Sequence, residues 1–299
     1  MQQQLYNIQP KRLFTFGCSF TKYTWGTWAN CLAQELGDIE FVNLGRSGAG
    51  NHYIFNTLMQ ADALYNFTHE DLVIVQWTNV CREDRFLPQN KSQGPWVTPG
   101  NIYSQEVYNE EFVRKYFSEE GAYVRDLAFI KAAYEMLKHK AQWHFLQMCD
   151  IINQPNQWSD SEGNFDPRKT SKRLNDAIEF YNEPLSFLRP SFYEILWHQN
   201  LQTKSKSDKK LIGKNFFDGH PSPLEHYKYL KGVFKHTWKN ETDRQVEKTQ
   251  EVWIKLLSDA CRNHPGRFNV FEMKQRWQDM LYYETKIKGP SYIDQRVLD

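Results

Sequence analysis

The chain has 299 residues, 40% of them hydrophobic and 24% charged, enough for one large folded domain or two smaller ones. Its 37 basic and 36 acidic residues give a net charge of +1, which argues against nucleic acid as an obligate partner. Five scattered cysteines without a Cys-x-x-Cys pair suggest neither a disulfide framework nor a zinc ribbon, and no apolar run approaches the ~18 residues of a membrane span.

The opening Met1-Gln2-Gln3-Gln4 is polar rather than a secretory signal, so reduced thiols in a cytosol are expected, and residues 1–10 read as a loose arm. Residues 11–17 read as a first strand that ends in Gly17, with Ser19 two positions later. Trp25, Trp28, Ala29, Leu32, Ala33 and Leu36 recur at spacings of three and four, which predicts a helix over 25–36 closed by Gly37. Trp25 and Trp28 read as core packing on that helix. Ser19 then lies on a strand-to-helix turn, a place for a nucleophile and equally for an ordinary helix cap.

Residues 39–44 read as a second strand running into the glycine-rich loop 45–51, and residues 52–66 as a helix. Asp71-Leu72-Val73-Ile74-Val75-Gln76-Trp77 is a continuous run of the kind buried on both faces of a parallel sheet. Three strand–loop–helix units in succession indicate an α/β sheet with helices on both faces. Ser19, Gly48 and Asn79 each fall just past a strand's carboxyl end, where such sheets gather ligands. Residues 85–125 and 150–215 read as insertions, the second part helical near 171–181 and 191–200, with the basic run 204–210 a solvated loop. Residues 122–140 read as a helix and 141–148 as a fourth strand. A helix is expected after Pro223, with His226 on its surface. Residues 241–299 look mostly helical with a short strand at 268–271. The expected division is an α/β domain over 1–240 and a helical C-terminal extension over 241–299.

Acyl transfer needs a nucleophile, a base, a group that orients the base, and donors for the oxyanion. Ser19 offers the first and His220 the second. Asp218, two residues ahead of His220 on a glycine-containing turn, can fold its carboxylate back onto the imidazole. The backbone N–H groups of Ser19 and Gly48 and the side-chain amide of Asn79 are candidate oxyanion donors. Gly48 also suits plain turn chemistry, and Asn79 a plain turn or helix cap. No Asp, Glu or His cluster has metal-ligand spacing.

These blocks carry a resemblance. Phe16-Gly17-Cys18-Ser19-Phe20-Thr21, then Asn43-Leu44-Gly45-Arg46-Ser47-Gly48-Ala49-Gly50-Asn51, an Asn after the third strand, and Asp218-Gly219-His220-Pro221 resemble the SGNH (GDSL-type) serine hydrolase family, in its phage and bacterial Gly-Cys-Ser-Phe-Thr variant. The resemblance covers residues 11–85 and 216–235. It implies a three-layer α/β/α (flavodoxin-like) fold with a parallel sheet, an esterase or acyltransferase activity through Ser19, His220 and Asp218, and no metal or other cofactor. The third block departs: the family shows Gly-x-Asn-Asp where this chain has Trp77-Thr78-Asn79-Val80. Either Asn79 fills the oxyanion role in a shifted register, or that donor is missing, which leaves the enzyme slow or calls on another group such as Thr78 or Arg82 to substitute.

The expected activity is hydrolysis of acyl esters, O-acetyl groups on a glycan being the substrate guess, since the insertions are aromatic and polar rather than greasy. Transfer to a sugar hydroxyl is the alternative on the same fold. A non-catalytic phage-type structural or glycan-binding protein is the rival from another class. The expected partner is a small-molecule or glycan ester, with neither nucleic acid nor membrane, in the cytoplasm or on a virion.

Overall fold

The computed structural model describes residues 3–87, 95–104, 107–152, 172–198, 212 and 218–263. Four strands form one sheet: β1 (Arg12–Phe16), β2 (Glu40–Asn43), β3 (Asp71–Trp77) and β4 (Gln142–Gln147). Their order is β2-β1-β3-β4 and every pairing is parallel, with Phe14 opposite Val42 and Val73, and Val75 opposite Phe145. All seven residues of β3 are buried, as its unbroken apolar run requires of a central strand covered on both faces.

The main helices are α1 (Trp28–Leu36), α2 (Asn51–Tyr65), α3 (Glu119–Leu137), α4 (Pro223–Val233) and α5 (Asn240–Asn263). The strand order fixes where they go. The chain moves one way across the sheet from β1 to β2 and the other way from β2 to β3 and from β3 to β4. Right-handed crossovers then put α1 on one face and α2 with α3 on the other. Accordingly α2 packs against α3, whereas α1 packs against α4 and α5. The fold is therefore α/β, a parallel sheet between two helical layers. The direction of winding reverses between β1 and β3, so the crevice at their carboxyl ends is the ligand position of such a sheet.

Several local expectations change. Helix α1 begins at Trp28, because Thr27 is its N-cap and its N–H donates to Asn30 Oδ1 at 3.0 Å. Gly37 closes it, donating to the Ala33 carbonyl at 3.1 Å. Trp25 thus lies ahead of the helix. The arm at 1–10 is not loose: Gln3–Gln4 pairs in parallel with Phe234–Lys235, Leu5 is fully buried, and His144 Nε2 lies 2.7 Å from the Leu5 carbonyl. One buried leucine and a strand edge outweigh the polarity of the glutamines. Within 85–125, Arg85–Phe86 pairs antiparallel with Trp96–Val97, a short helix spans Glu110–Tyr116, and α3 starts at Glu119. A parallel bridge from Phe145 to Leu188 covers part of the outer edge of β4. The basic run 204–210 and the strand expected at 268–271 lie outside the described residues.

His226 is fully buried rather than on a helix surface. Helix α4 is enclosed by α1, α5 and the segment around Glu194–His198, and His226 meets the rings of Phe20 and Phe192. Burial, and then the charge of His220, hold its pKa well below the ordinary value; burial pushes His144 down to about 4. Both are neutral when folded, whereas the unfolded chain protonates them near pH ~6.5. Stability is therefore full above that pH and falls as pH drops, by about 1.4 kcal/mol per unit for each histidine. Urea unfolding at about pH 7 and about pH 5.5 should show a loss that is smaller by about 1.4 kcal/mol in His226→Leu than in wild type. An equal loss in both would show that His226 titrates in the folded state.

Candidate active site

The turn after β1 is built to hold Ser19 in one place. The Cys18 carbonyl accepts from Thr21 N at 2.9 Å and Lys22 N at 3.2 Å. Thr21 folds back beneath Gly17, where a Cβ would lie 2.0 Å from Thr21 Oγ1, so only glycine fits. The Thr21 hydroxyl donates to Gln76 Oε1 at 2.9 Å on β3, and its carbonyl accepts from Thr27 Oγ1 at 2.6 Å and Asn43 Nδ2 at 2.9 Å. The turn is thereby tied to β2, β3 and the start of α1. Thr27 caps α1, so the capping alternative for Ser19 does not hold. Ser19 Oγ instead lies 2.8 Å from His220 Nε2.

The second component comes from the loop ahead of α4. His220 Nδ1 lies 2.7 Å from Asp218 Oδ1, and the His220 backbone N–H donates to the same oxygen at 2.8 Å. The carboxylate is thus folded back onto its own turn. Its other oxygen accepts from the Tyr23 hydroxyl at 2.6 Å, and the Tyr23 ring stacks on the imidazole at 3.8 Å with 19° between planes. Trp25 Nε1 donates to the Pro221 carbonyl at 2.8 Å, and Ser222 and Glu225 exchange hydrogen bonds in a capping box that starts α4. The loop is pinned on both sides of His220.

Burial works against the Asp218 charge, but the hydrogen bond and charge of His220 and the Tyr23 hydroxyl outweigh it, and its pKa lies below the ordinary value. Burial, followed by the Asp218 charge, pushes the Tyr23 phenol upward, so it stays protonated as a donor. An ionised Asp218 can only accept, which assigns the imidazole proton to Nδ1 and leaves Nε2 bare toward the Ser19 hydroxyl. The His220 side chain is 26% exposed, so a proton it takes up can exchange with solvent.

Gly48 and Asn79 lie past β2 and β3, on either side of the serine turn. Gly48 has φ +75°, and a Cβ there would meet the Thr98 carbonyl oxygen at 2.0 Å. The turn role of Gly48 is real: Ala49 N donates to the Arg46 carbonyl at 3.1 Å across it. Asn79 also makes a turn, its Oδ1 accepting from Cys81 N at 2.6 Å. That bond turns the amide so that its NH₂ has no acceptor among the described residues. The backbone N–H groups of Ser19 and Gly48 likewise donate to nothing among them.

The support for Asn79 comes from residues that spacing did not single out. Asn51, fully buried at the start of α2, accepts from Thr78 N at 2.8 Å, and its amide donates to the Thr78 carbonyl at 3.0 Å and Asp126 Oδ2 at 2.7 Å. Burial pushes the Asp126 carboxyl up to about 7 against the pull of Arg125 and Asn51. Asp84 turns both oxygens to the start of α2, accepting from Gly50 N at 2.9 and 3.0 Å and from Tyr53 N at 2.8 Å. The one sequence signal for Asn51 was its place at the end of the glycine-rich loop. Tyr23 and Trp25 had none beyond their closeness to Ser19.

No protein-family model matches the sequence, and no curated protein sequence matches it. Among solved structures, the chain is similar to a member of the lipolytic protein G-D-S-L family from Veillonella parvula, at 12% identity and a TM-score of 0.39, over 76% of this chain and 99% of that one. It is also similar to a gut microbial diltiazem-metabolizing enzyme, at 14% identity and a TM-score of 0.38, over 77% of this chain and 48% of that one.

Replacing Asn51 by Leu removes the acceptor of the Thr78 N–H and the donor to Asp126 Oδ2 in a dry interior, leaving Asp126, among the described residues, only its Arg125 bond. Denaturant unfolding should show a loss of about 2–4 kcal/mol. A loss below about 0.5 kcal/mol would contradict the bonding described.

Proposed function

We propose that the protein is a serine esterase. The observation that carries this reading is the unbroken relay from Ser19 Oγ to His220 Nε2 at 2.8 Å and from His220 Nδ1 to Asp218 Oδ1 at 2.7 Å, with the Nε2 lone pair facing the serine. Ser19 Oγ attacks an ester carbonyl as His220 takes its proton. The imidazolium is stabilised by Asp218, whose carboxylate the Tyr23 hydroxyl holds in place. The carbonyl oxygen becomes an oxyanion that accepts from the Ser19 and Gly48 N–H groups and the Asn79 amide. His220 returns the proton to the departing alcohol. Water then repeats the sequence on the acyl-enzyme.

The substrate class is a small-molecule or glycan ester, acetyl being the simplest acyl group that fits the reading. Acetyl is the smallest common acyl group and suits a serine that is itself only 5% exposed.

A fluorophosphonate probe reports an activated serine without knowledge of the substrate. Wild type should label, whereas Ser19→Ala and His220→Ala should not. Tyr23→Phe keeps the stacked ring but loses the hydroxyl, and should label about tenfold more slowly, the effect of one charge-assisted hydrogen bond. Absence of labelling in folded wild type, or labelling that survives Ser19→Ala, would overturn the assignment.

A further inference from the structure

The guanidinium of Arg82 lies where the walls of the candidate site meet. Its Nη1 donates to the Ala49 carbonyl at 3.0 Å, one residue past Gly48. Its Nη2 lies 3.7 Å from Met148 Sδ, just past the end of β4. The same sulfur is 3.8 Å from Cys18 Sγ and 3.6 Å from Thr78 Oγ1. Cys18 precedes Ser19, and Thr78 precedes Asn79. Arg82 thus contacts the residue next to Gly48 directly and, through Met148, joins the residues next to Ser19 and Asn79, at the end of the sheet where ligands bind.

Its charge is not matched by contact with an acid. Arg12 pairs with Asp71 at 2.6 Å, and Arg125 with Glu83 at 2.7 Å and Asp126 at 2.9 Å, whereas the half-buried Arg82, like the buried Arg189, has no such pair among the described residues. Glu83, next in sequence, pairs with Arg85 and Arg125, and Asp84, which lies in the field of Arg82, turns both oxygens to the start of α2. A strap to the Ala49 carbonyl and a sulfur needs donors but no full charge, and a partly buried charge with no counter-ion in contact is costly. Burial pushes the Tyr193 phenol up to about 12 while the Arg82 charge pulls it down, so this neutral hydroxyl shares the field of the same cation. A guanidinium with N–H groups to spare is the side chain best matched to a carboxylate.

We infer, on the esterase reading above, that Arg82 binds a carboxylate carried by the substrate, so that the preferred substrates are acidic esters. The carboxylate lies either on the acyl part, as in a half-ester of a dicarboxylic acid, or on the alcohol part, as in an O-acetylated acidic sugar.

Two matched pairs separate these sources. 4-Nitrophenyl hydrogen glutarate against 4-nitrophenyl valerate places the charge on the acyl side. An O-acetylated glucuronate against an O-acetylated glucose places it on the alcohol side. In one pair, kcat/KM should favour the acidic member by at least about tenfold at low salt. The preference should shrink at high salt, disappear in Arg82→Gln and be partly kept in Arg82→Lys. Equal or better turnover of the neutral member in both pairs by wild type would overturn the inference, as would an unchanged preference in Arg82→Gln. If Arg82→Gln does not fold, the preference of wild type and its salt dependence decide. Wild type that labels with fluorophosphonate but shows no acid preference removes this inference alone; wild type that does not label removes the esterase reading and this inference with it.

Discussion

Ser19 and His220 are 201 residues apart, and the 2.8 Å bond between their side chains forms only if the first turn of the chain and the loop ahead of α4 are held in register. Much of the surrounding structure bears on that register. Trp25 reaches from the serine turn to the Pro221 carbonyl, and Trp253 of α5 packs edge-on against it at 5.5 Å between ring centroids. Tyr23 spans the same gap, with its ring on the imidazole and its hydroxyl on the carboxylate. Helix α5 stands behind these aromatic rings and packs on α1 and α4, which links the later part of the chain to the geometry of the serine.

The opposite side of the crevice is held by polar groups. Asn51, Asp126 and Asp84 are buried: Asn51 bonds backbone just past β3, Asp84 accepts from backbone at the start of α2, and Asp126 accepts from the Asn51 and Arg125 side chains. Leaving such groups unpaired is costly, and satisfying them together permits one arrangement. The loops carrying Gly48 and Asn79 therefore gain rigidity from the layer beneath them, the preorganisation that stabilising a transient charge requires. On this account the candidate site combines an aromatic clamp on the base with a hydrogen-bonded cradle for the oxyanion.

Local chemistry was legible in the sequence. The β3 run announced a buried central strand, and the strand–loop–helix alternation announced the parallel sheet. The spacing of Asp218 and His220 foretold a carboxylate folded onto its own imidazole, and the bond is present at 2.7 Å. Features set by distant partners were not legible. Nothing in Tyr23 shows that it meets a residue 195 positions away. His226 reads as a helix-surface residue until α1, α5 and the segment around Phe192 enclose its helix. The N-terminal arm reads as loose until its edge finds Phe234–Lys235. Helical periodicity placed Trp25 on α1, whereas the Thr27 cap starts that helix later and frees Trp25 to bond the histidine loop.

The central claim is a covalent intermediate on one serine, and its most direct test is to trap it. The protein would be exposed briefly to 4-nitrophenyl acetate, quenched in acid, digested and weighed by mass spectrometry. The account predicts one acetyl group on the peptide that contains Ser19, absent from Ser19→Ala along with ester turnover. Turnover that persists in Ser19→Ala, or an acetyl group carried stably by another residue while Ser19 stays free, would contradict it.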